Sequence, residues 1–432
     1  MFAINRSLTK KFTIKSEFVR NVLTLTSGTA FAQLIPLLLA PFLSRIYNPE
    51  EFGRLALYLS IVQVLGVVSS GRYELAIMLP KKQKEGVQVT LLSIIITFIF
   101  STVTLLAVLF FSNDIAIALG DPKLSEWLYL VPLSVLLMGL FNALNYFNTR
   151  KKKFKNIAKA NIFKSFGGNL TQLFLGLAKF TSGGLIIGQV VSHLFGNIKM
   201  AKTFLRYKEE IRSTSRLDLK VLAKRYINFP KFSMWGIFLN TLAINVTNFF
   251  VSWFYSMVIL GQYAHAYRYL TVPITLIGKS IGQVYFQKLS SQRGNAKSME
   301  KIFLGSLKKI ILIAVIVFLP AYFFIEDFFP IFFGEKWVVA GEYAKILTPL
   351  MGVRFIVSTL SISLTVMEKQ DKELLMHVAI IIGTGLIWFF AYIYEMSIKN
   401  AIELYAIGLS VVYILILGYI YSSFKRNSLI SA

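Results

Sequence analysis

An all-α integral membrane protein is predicted, with twelve transmembrane helices forming two six-helix bundles. Three observations predict it. Hydrophobic residues make up 55% of the 432-residue chain and charged residues only 16%, against about 25% charged in soluble domains. Apolar runs of roughly 20 residues, the length needed to cross about 30 Å of hydrocarbon, recur a dozen times. The breaks between these runs alternate between strongly basic and weakly acidic.

The first run, 21–44, carries Pro36 and Pro41. Ala30-Phe31-Ala32 mimics a signal-peptidase site. The stretch from Asn21 to Thr29 is too polar for a signal core, however, and the apolar run continues to Leu43, so it reads as a retained span. The second run, 53–79, holds Arg72 and Glu74 and stops at Pro80. Runs three and four cover 88–112 and 125–149, with Asn142, Asn145 and Asn148 at i, i+3, i+6. Run five, 158–178, contains Lys164, Asn169 and Gln172, and run six covers 182–204. Run seven, 232–255, places Thr241, Asn245 and Asn248 at i, i+4, i+7. Run eight, 259–287, contains Arg268, Pro273 and Lys279. Runs nine to twelve cover 303–325, 338–366, 374–394 and 400–423, with Pro320, Pro349 and Arg354 inside them.

Charge orients these runs. Roughly 34 Lys and Arg fall on one side of the predicted membrane and about 7 on the other. That asymmetry predicts cytoplasmic termini and accounts for most of the +25 net charge. The basic excess is topology signal and headgroup attraction, not a nucleic-acid footprint. The longest break, 206–231, carries seven Lys and Arg between Arg206 and Arg225 and reads as a basic surface helix. It divides an N-terminal bundle, 1–205, from a C-terminal bundle, 232–432. Each bundle has six spans and starts in the cytoplasm, so the two are related by an axis along the membrane normal. A faint echo supports this: Gly53-Arg54-Leu55-Ala56 opens run two and Gly261-Gln262-Tyr263-Ala264 opens run eight.

Charges inside the runs are nearly all positive: Arg72, Lys164, Arg268, Lys279 and Arg354, answered in sign by Glu74. A charge in hydrocarbon costs at least a few kcal/mol and is kept for a reason. Arg72 and Glu74, two residues apart on a helix, point to different faces and are expected to have other partners. Arg268 and Lys279, three turns apart, are expected to share a face. Arg354, near mid-bilayer, is beyond snorkelling reach, whereas Lys164 reads as a shallow snorkelling residue. The Asn142/Asn145 and Thr241/Asn245/Asn248 stripes line a wet cavity, hold an ion or sugar, or simply join helices. No HExxH, Walker A loop or paired intramembrane acid and histidine is present, and there is no cysteine. A non-enzymatic function is expected.

Asn48-Pro49-Glu50-Glu51-Phe52-Gly53, Gly71-Arg72-Tyr73-Glu74-Leu75-Ala76-Ile77, and Ala266-Tyr267-Arg268 followed by Pro273 and Gln283-Val284-Tyr285-Phe286 resemble Wzx-type polysaccharide flippases. That family belongs to the superfamily of multidrug and toxin extruders and lipid II flippases. The resemblance implies two bundles in a V around a central cavity, in the inner membrane of a bacterium. It implies translocation of undecaprenyl-pyrophosphate-linked oligosaccharides to the outer leaflet by alternating access, for O-antigen, lipopolysaccharide or exopolysaccharide synthesis. The resemblance carries the cationic-cavity role, contact with pyrophosphate, onto Arg72, Arg268 and Arg354; Lys279 joins them by its charge, and Thr241, Asn245, Asn248, Asn142, Asn145 and Glu74 are read as ion or sugar contacts from the residues themselves. The partners implied are membrane lipids, glycosyltransferases and a polysaccharide polymerase. No cofactor is implied beyond a coupling Na+ or H+. The alternatives are a multidrug exporter of the same fold, which would want cavity acids, and a membrane glycan polymerase, acyltransferase or major-facilitator porter.

Overall fold

The computed structural model describes the backbone of residues 17–430 except positions 293 and 368, and side chains over 27–425 apart from those two, 370 and 371. Predicted cytoplasmic residues 1–16 lie outside it. No strand occurs among the described residues. The main helices are α1 (Glu17–Ile46), α2 (Pro49–Gly66), α3 (Gln83–Ala118), α4 (Val131–Arg150), α5 (Phe154–Leu177) and α6 (Thr181–Phe204) in one lobe. The other lobe holds α7 (Met234–Phe254), α8 (Met257–Leu270), α9 (Ala296–Phe333), α10 (Val338–Leu360), α11 (Gln370–Ile393) and α12 (Ile398–Ile430).

Eight helical stretches among the described residues are long and apolar enough to cross a membrane. Those of α2, α5, α6 and α8 fall short. All four face the space between the lobes, where a polar side chain meets water instead of lipid. The long apolar helices turn large residues outward, such as Phe110 on α3 and Phe324 on α9, as a lipid-facing surface requires.

Two predicted spans are interrupted. Run two was expected to be helical to 79, but α2 ends at Gly66 and resumes only as Tyr73–Ala76. Ser69-Ser70-Gly71 supplies the break. The Ser69 hydroxyl donates to the Gly66 carbonyl (2.8 Å), and Gly71 and Arg72 both take left-handed φ, 59° and 63°. The turn corrects the expectation that Arg72 and Glu74 are poor partners. They pair at 3.1 Å, and Ser70 also donates to the buried Glu74 carboxylate. Run eight breaks after Pro273 into a π-turn, Ile274–Gly278, before the helix Lys279–Ser290. An extra residue in one turn rotates the rest of the helix by about 100°. Arg268 and Lys279 therefore lose the shared face predicted for them.

The basic connection forms two helices, Lys208–Arg212 and Arg216–Arg225. Ser215 caps the second: its hydroxyl accepts from the Asp218 N–H (3.1 Å) and its own N–H donates to the Asp218 carboxylate (3.0 Å). These bonds hold the Asp218 carboxyl below its ordinary range. Leu222 and Tyr226 are buried in a core of the N-terminal lobe, Tyr73 donates to the Ala223 carbonyl (2.9 Å), and Arg225 pairs with Glu85 (3.4 Å). The connection is thus part of the N-terminal lobe's basic end.

At the opposite, acidic end the lobes touch directly. A Cβ on Gly53 would lie 2.0 Å from the Met257 carbonyl oxygen, and one on Gly261 would lie 1.8 Å from the Pro49 carbonyl oxygen. The contact is reciprocal: Gly53 and Gly261, and Pro49 and Met257, are each 208 residues apart. A two-fold relation between the lobes gives this self-matching pattern, and it places the Gly53/Gly261 sequence echo at the axis. Polar ties surround the crossing. Arg45 donates to the Phe332 (2.8 Å) and Ile331 (3.1 Å) carbonyls, Lys336 to the Asn48 side-chain oxygen (2.7 Å), and the Trp337 indole to the Ser44 carbonyl (2.9 Å). Beside it, buried Arg54 is held by Asp121 (2.6 Å), Glu50 (3.0 Å) and Ser182 (3.2 Å).

Gly261→Val should hold the lobes apart at the acidic end. The chain has no native cysteine, so spin labels at Phe42→Cys and Phe328→Cys can report it. The expected result is a longer inter-label distance in the Gly261→Val background than in the parent.

Candidate functional site

Beneath this seal lies a cavity of about 450 Å³, walled by α1, α2, α5 and α6 on one side and α7 and α8 on the other. Two cations line it: Lys164 from α5 and Arg268 from α8. No carboxylate does. Lys164 is ten residues into α5, about 15 Å from its N-terminal end, and Arg268 is eleven residues into α8, two before that helix ends at Leu270. The Lys164 ammonium rests over the Phe141 ring at 4.6 Å and the Arg268 guanidinium near the Tyr269 ring at 5.9 Å. Neither forms an ion pair among the described residues. Both charges are therefore uncompensated toward the cavity.

Amides make up much of the remaining polar wall: Gln63, Asn169, Gln172, Gln189, Asn245 and Asn248. Several have their N–H groups engaged. Asn169 donates to the Ser165 carbonyl (2.7 Å), Gln172 to the Leu185 carbonyl (3.0 Å), Asn245 to the Gln63 side chain (3.3 Å) and Asn248 to Ser60 (2.9 Å). The last two cross from α7 to α2, so they join the lobes as well as lining the cavity. Their carbonyl oxygens suit hydroxyl-rich ligands. At the cavity roof His265 is fully buried, 3.3 Å from the Ser44 hydroxyl and stacked at 3.8 Å on Trp337.

The predicted site residues divide. Arg268, Asn245 and Asn248 come together on the cavity wall. Arg72 is held in the turn at the end of α2 with Glu74, and neither lines the cavity. Lys279 is exposed beyond the π-turn. Thr241 returns its hydroxyl to the Ile237 carbonyl (2.8 Å). Asn142 and Asn145 are half-buried on α4 and off the cavity wall, while their neighbour Asn148 ties α4 to the Met200 carbonyl of α6 (3.2 Å). Arg354 faces a separate pocket of about 140 Å³ inside the C-terminal lobe, with Tyr267 and Ile244 forming the partition between the two spaces. Lys164, read from the sequence as shallow, is one of the cavity residues, with Gln63 and Gln189, that the sequence reading missed. Its signal was the stripe Lys164, Gly168, Gln172, small or polar at every fourth position along one helix face.

An all-α membrane protein with two helical lobes about a shared polar cavity has the architecture of a transporter. The chain belongs to the family described as polysaccharide biosynthesis protein, whose profile matches residues 42–342. It is 23% identical over 252 residues to the teichuronic acid biosynthesis protein TuaB of Bacillus subtilis (strain 168), across 57% of this chain and 50% of that one. It is 20% identical over 320 residues to the succinoglycan biosynthesis transport protein ExoT of Rhizobium meliloti (strain 1021), across 72% of this chain and 62% of that one. The matches thus span half to just under two thirds of these relatives. In fold it is similar to the lipid II flippase MurJ in an inward closed conformation (TM-score 0.71, 15% identity, 94% of this chain and 91% of that one). It is similar also to an inward-facing MATE multidrug transporter (TM-score 0.69, 17% identity, 94% and 96%). The expected MATE-like fold class is therefore correct.

Lys164→Cys should react with a small water-soluble thiol reagent, because it opens on a wet cavity. Phe166→Cys, two residues on and outward-facing, should resist the same reagent. Equal reactivity of the two would place Lys164 in lipid.

Proposed function

We propose that this protein moves undecaprenyl-pyrophosphate-linked oligosaccharides from the cytoplasmic to the outer leaflet of a bacterial inner membrane for surface-polysaccharide synthesis. The observation that carries the proposal is the cavity between the lobes, with two uncompensated cations, an amide-rich wall and no carboxylate. A polar glycan head cannot cross hydrocarbon unaided. The cavity offers it water, amide oxygens for sugar hydroxyls, and Arg268 and Lys164 for the pyrophosphate. Arginine forks onto phosphate oxygens and lysine adds a point charge. No bond is made or broken, so the role is transport and not catalysis.

Orientation follows from the basic end, which we assign to the cytoplasm. The acidic-end seal then closes the outer face, and opening it while closing the basic end completes alternating access. Two negative charges moving outward across 100 mV, negative inside, gain about 4.6 kcal/mol. Return of the empty cationic cavity carries positive charge inward, which the same field favours, and an inward H+ or Na+ is proposed to add to that drive. The side-chain oxygens of Asn245 and Asn248 are where sodium would bind. Glycosyltransferases and a polymerase are the proposed pathway partners. The multidrug-exporter reading draws support from the MATE-like fold, but a cationic drug would find only like charges in this cavity.

Arg268→Gln and Lys164→Gln should each slow transport of a lipid-linked oligosaccharide in proteoliposomes about tenfold, near 1.4 kcal/mol each. Arg268→Glu should abolish it. Normal rates in all three would remove the cationic cavity from the mechanism, and efflux of ethidium by the parent would favour the exporter. Replacing Na+ by choline in the same assay tests the sodium site: an unchanged rate assigns coupling to protons or to voltage alone.

For orientation, a cysteine at Ser213 in the linker should be labelled by an impermeant reagent only after cells are opened. A cysteine at Glu395 should be labelled from outside intact cells. The reverse pattern would invert the assignment.

A further inference from the structure

Arg354 has no use in the central cavity as the fold places it. It lies on α10, where its guanidinium donates to the Tyr267 hydroxyl and lies 5.5 Å from the centre of that ring. Among the described residues no carboxylate pairs with it. Neutral tyrosine can accept a hydrogen bond but cannot balance a charge. A guanidinium carries five N–H donors, and one phenol oxygen does not satisfy them. A cation kept inside a membrane lobe needs a negative counterpart.

The pocket in front of it is built for a small one. It is about 140 Å³ and is lined by polar groups from three further helices: Asn240 on α7, His377 on α11, and Tyr405 and Tyr413 on α12. The hydroxyls of Ser358 and Ser361, also on its wall, are donated to the Phe355 and Ser358 carbonyls. A water's share of liquid volume is about 30 Å³. The space therefore fits a halide and a few waters, and not a pyrophosphate with sugars attached. Tyr267, having accepted from Arg354, still has its own O–H to donate. No acid lines the pocket.

We infer that the C-terminal lobe binds a small inorganic anion, chloride in the cell, between Arg354 and the Tyr413 hydroxyl. The site is distinct from the glycan cavity and shares with it only the Tyr267 and Ile244 partition. Occupancy neutralises the lobe. An anion carried through the cycle would offset the charge of the returning empty protein. The inference holds whatever the main cavity transports.

The test uses the purified full-length protein. Its thermal unfolding midpoint is followed in potassium chloride against potassium gluconate at equal ionic strength. The expected result is a saturable rise in chloride that Arg354→Gln abolishes. Tyr413→Phe should move the half-saturating chloride concentration upward about tenfold, and this milder variant carries the test if Arg354→Gln does not fold. Arg268→Gln and Lys164→Gln should keep the full chloride response, which separates this site from the substrate cavity. Crystals soaked in bromide should show an anomalous peak beside Arg354. An absent chloride response in the parent, a response unchanged in Arg354→Gln and Tyr413→Phe, or one lost in Arg268→Gln would each overturn the inference. So would competition by pyrophosphate at Arg354, which would make the pocket an arm of the substrate site.

Discussion

Two helices can cross backbone to backbone only where neither carries a side chain at the crossing. In this protein that place is Gly53 against Gly261, where a single methyl group on either would sit about 2 Å from a carbonyl oxygen of the other lobe. The close approach draws the lobes together at the acidic end. It brings Arg45, Lys336 and Trp337 within hydrogen-bonding distance of the opposite helices, and it roofs the cavity with His265 and Trp337. The reciprocity of the crossing means one small patch, repeated, serves both lobes. Nothing covalent locks it, so it can part as a unit.

The cavity explains the composition of the helices around it. A span that turns a broad face to lipid needs a long apolar stretch, and α3, α9, α11 and α12 each contain one. A span facing a wet cavity can spend part of its surface on amides and cations. That suits α2, α5 and α6, which line the cavity and lack the apolarity of the rest, while α8 ends after 14 residues at Leu270. Electrostatics then follows from what is absent from the wall. With acids nowhere on it, Lys164 and Arg268 give the wall a positive field, which the proposed anionic headgroup would complement. Arg354 repeats the theme one tyrosine away, at a scale that fits an ion instead of a lipid headgroup.

How much was legible depended on whether a residue's meaning was local. Span positions, the basic connection and the Gly53/Gly261 echo were readable because hydropathy, charge and repeats are properties of the linear chain. Pairings were not. Arg72 meets Glu74 because the backbone leaves the helix at Gly71, and a periodicity argument assumes that it does not. Lys279 leaves the face of Arg268 because a π-turn intervenes, and Pro273 gave only a hint of where. Lys164 was judged by its depth along one helix, whereas its role is set by which helices stand opposite.

The sequence by itself determined that the chain lives in a membrane, that it is helical, that it is built twice over, and which end is basic. These follow from transfer free energies and charge counts, which act residue by residue. Only the tertiary structure decided which cations share a cavity and which are paired or set apart. That depends on the rotation of each helix about its axis and on its neighbour across the interface, and no single segment encodes either.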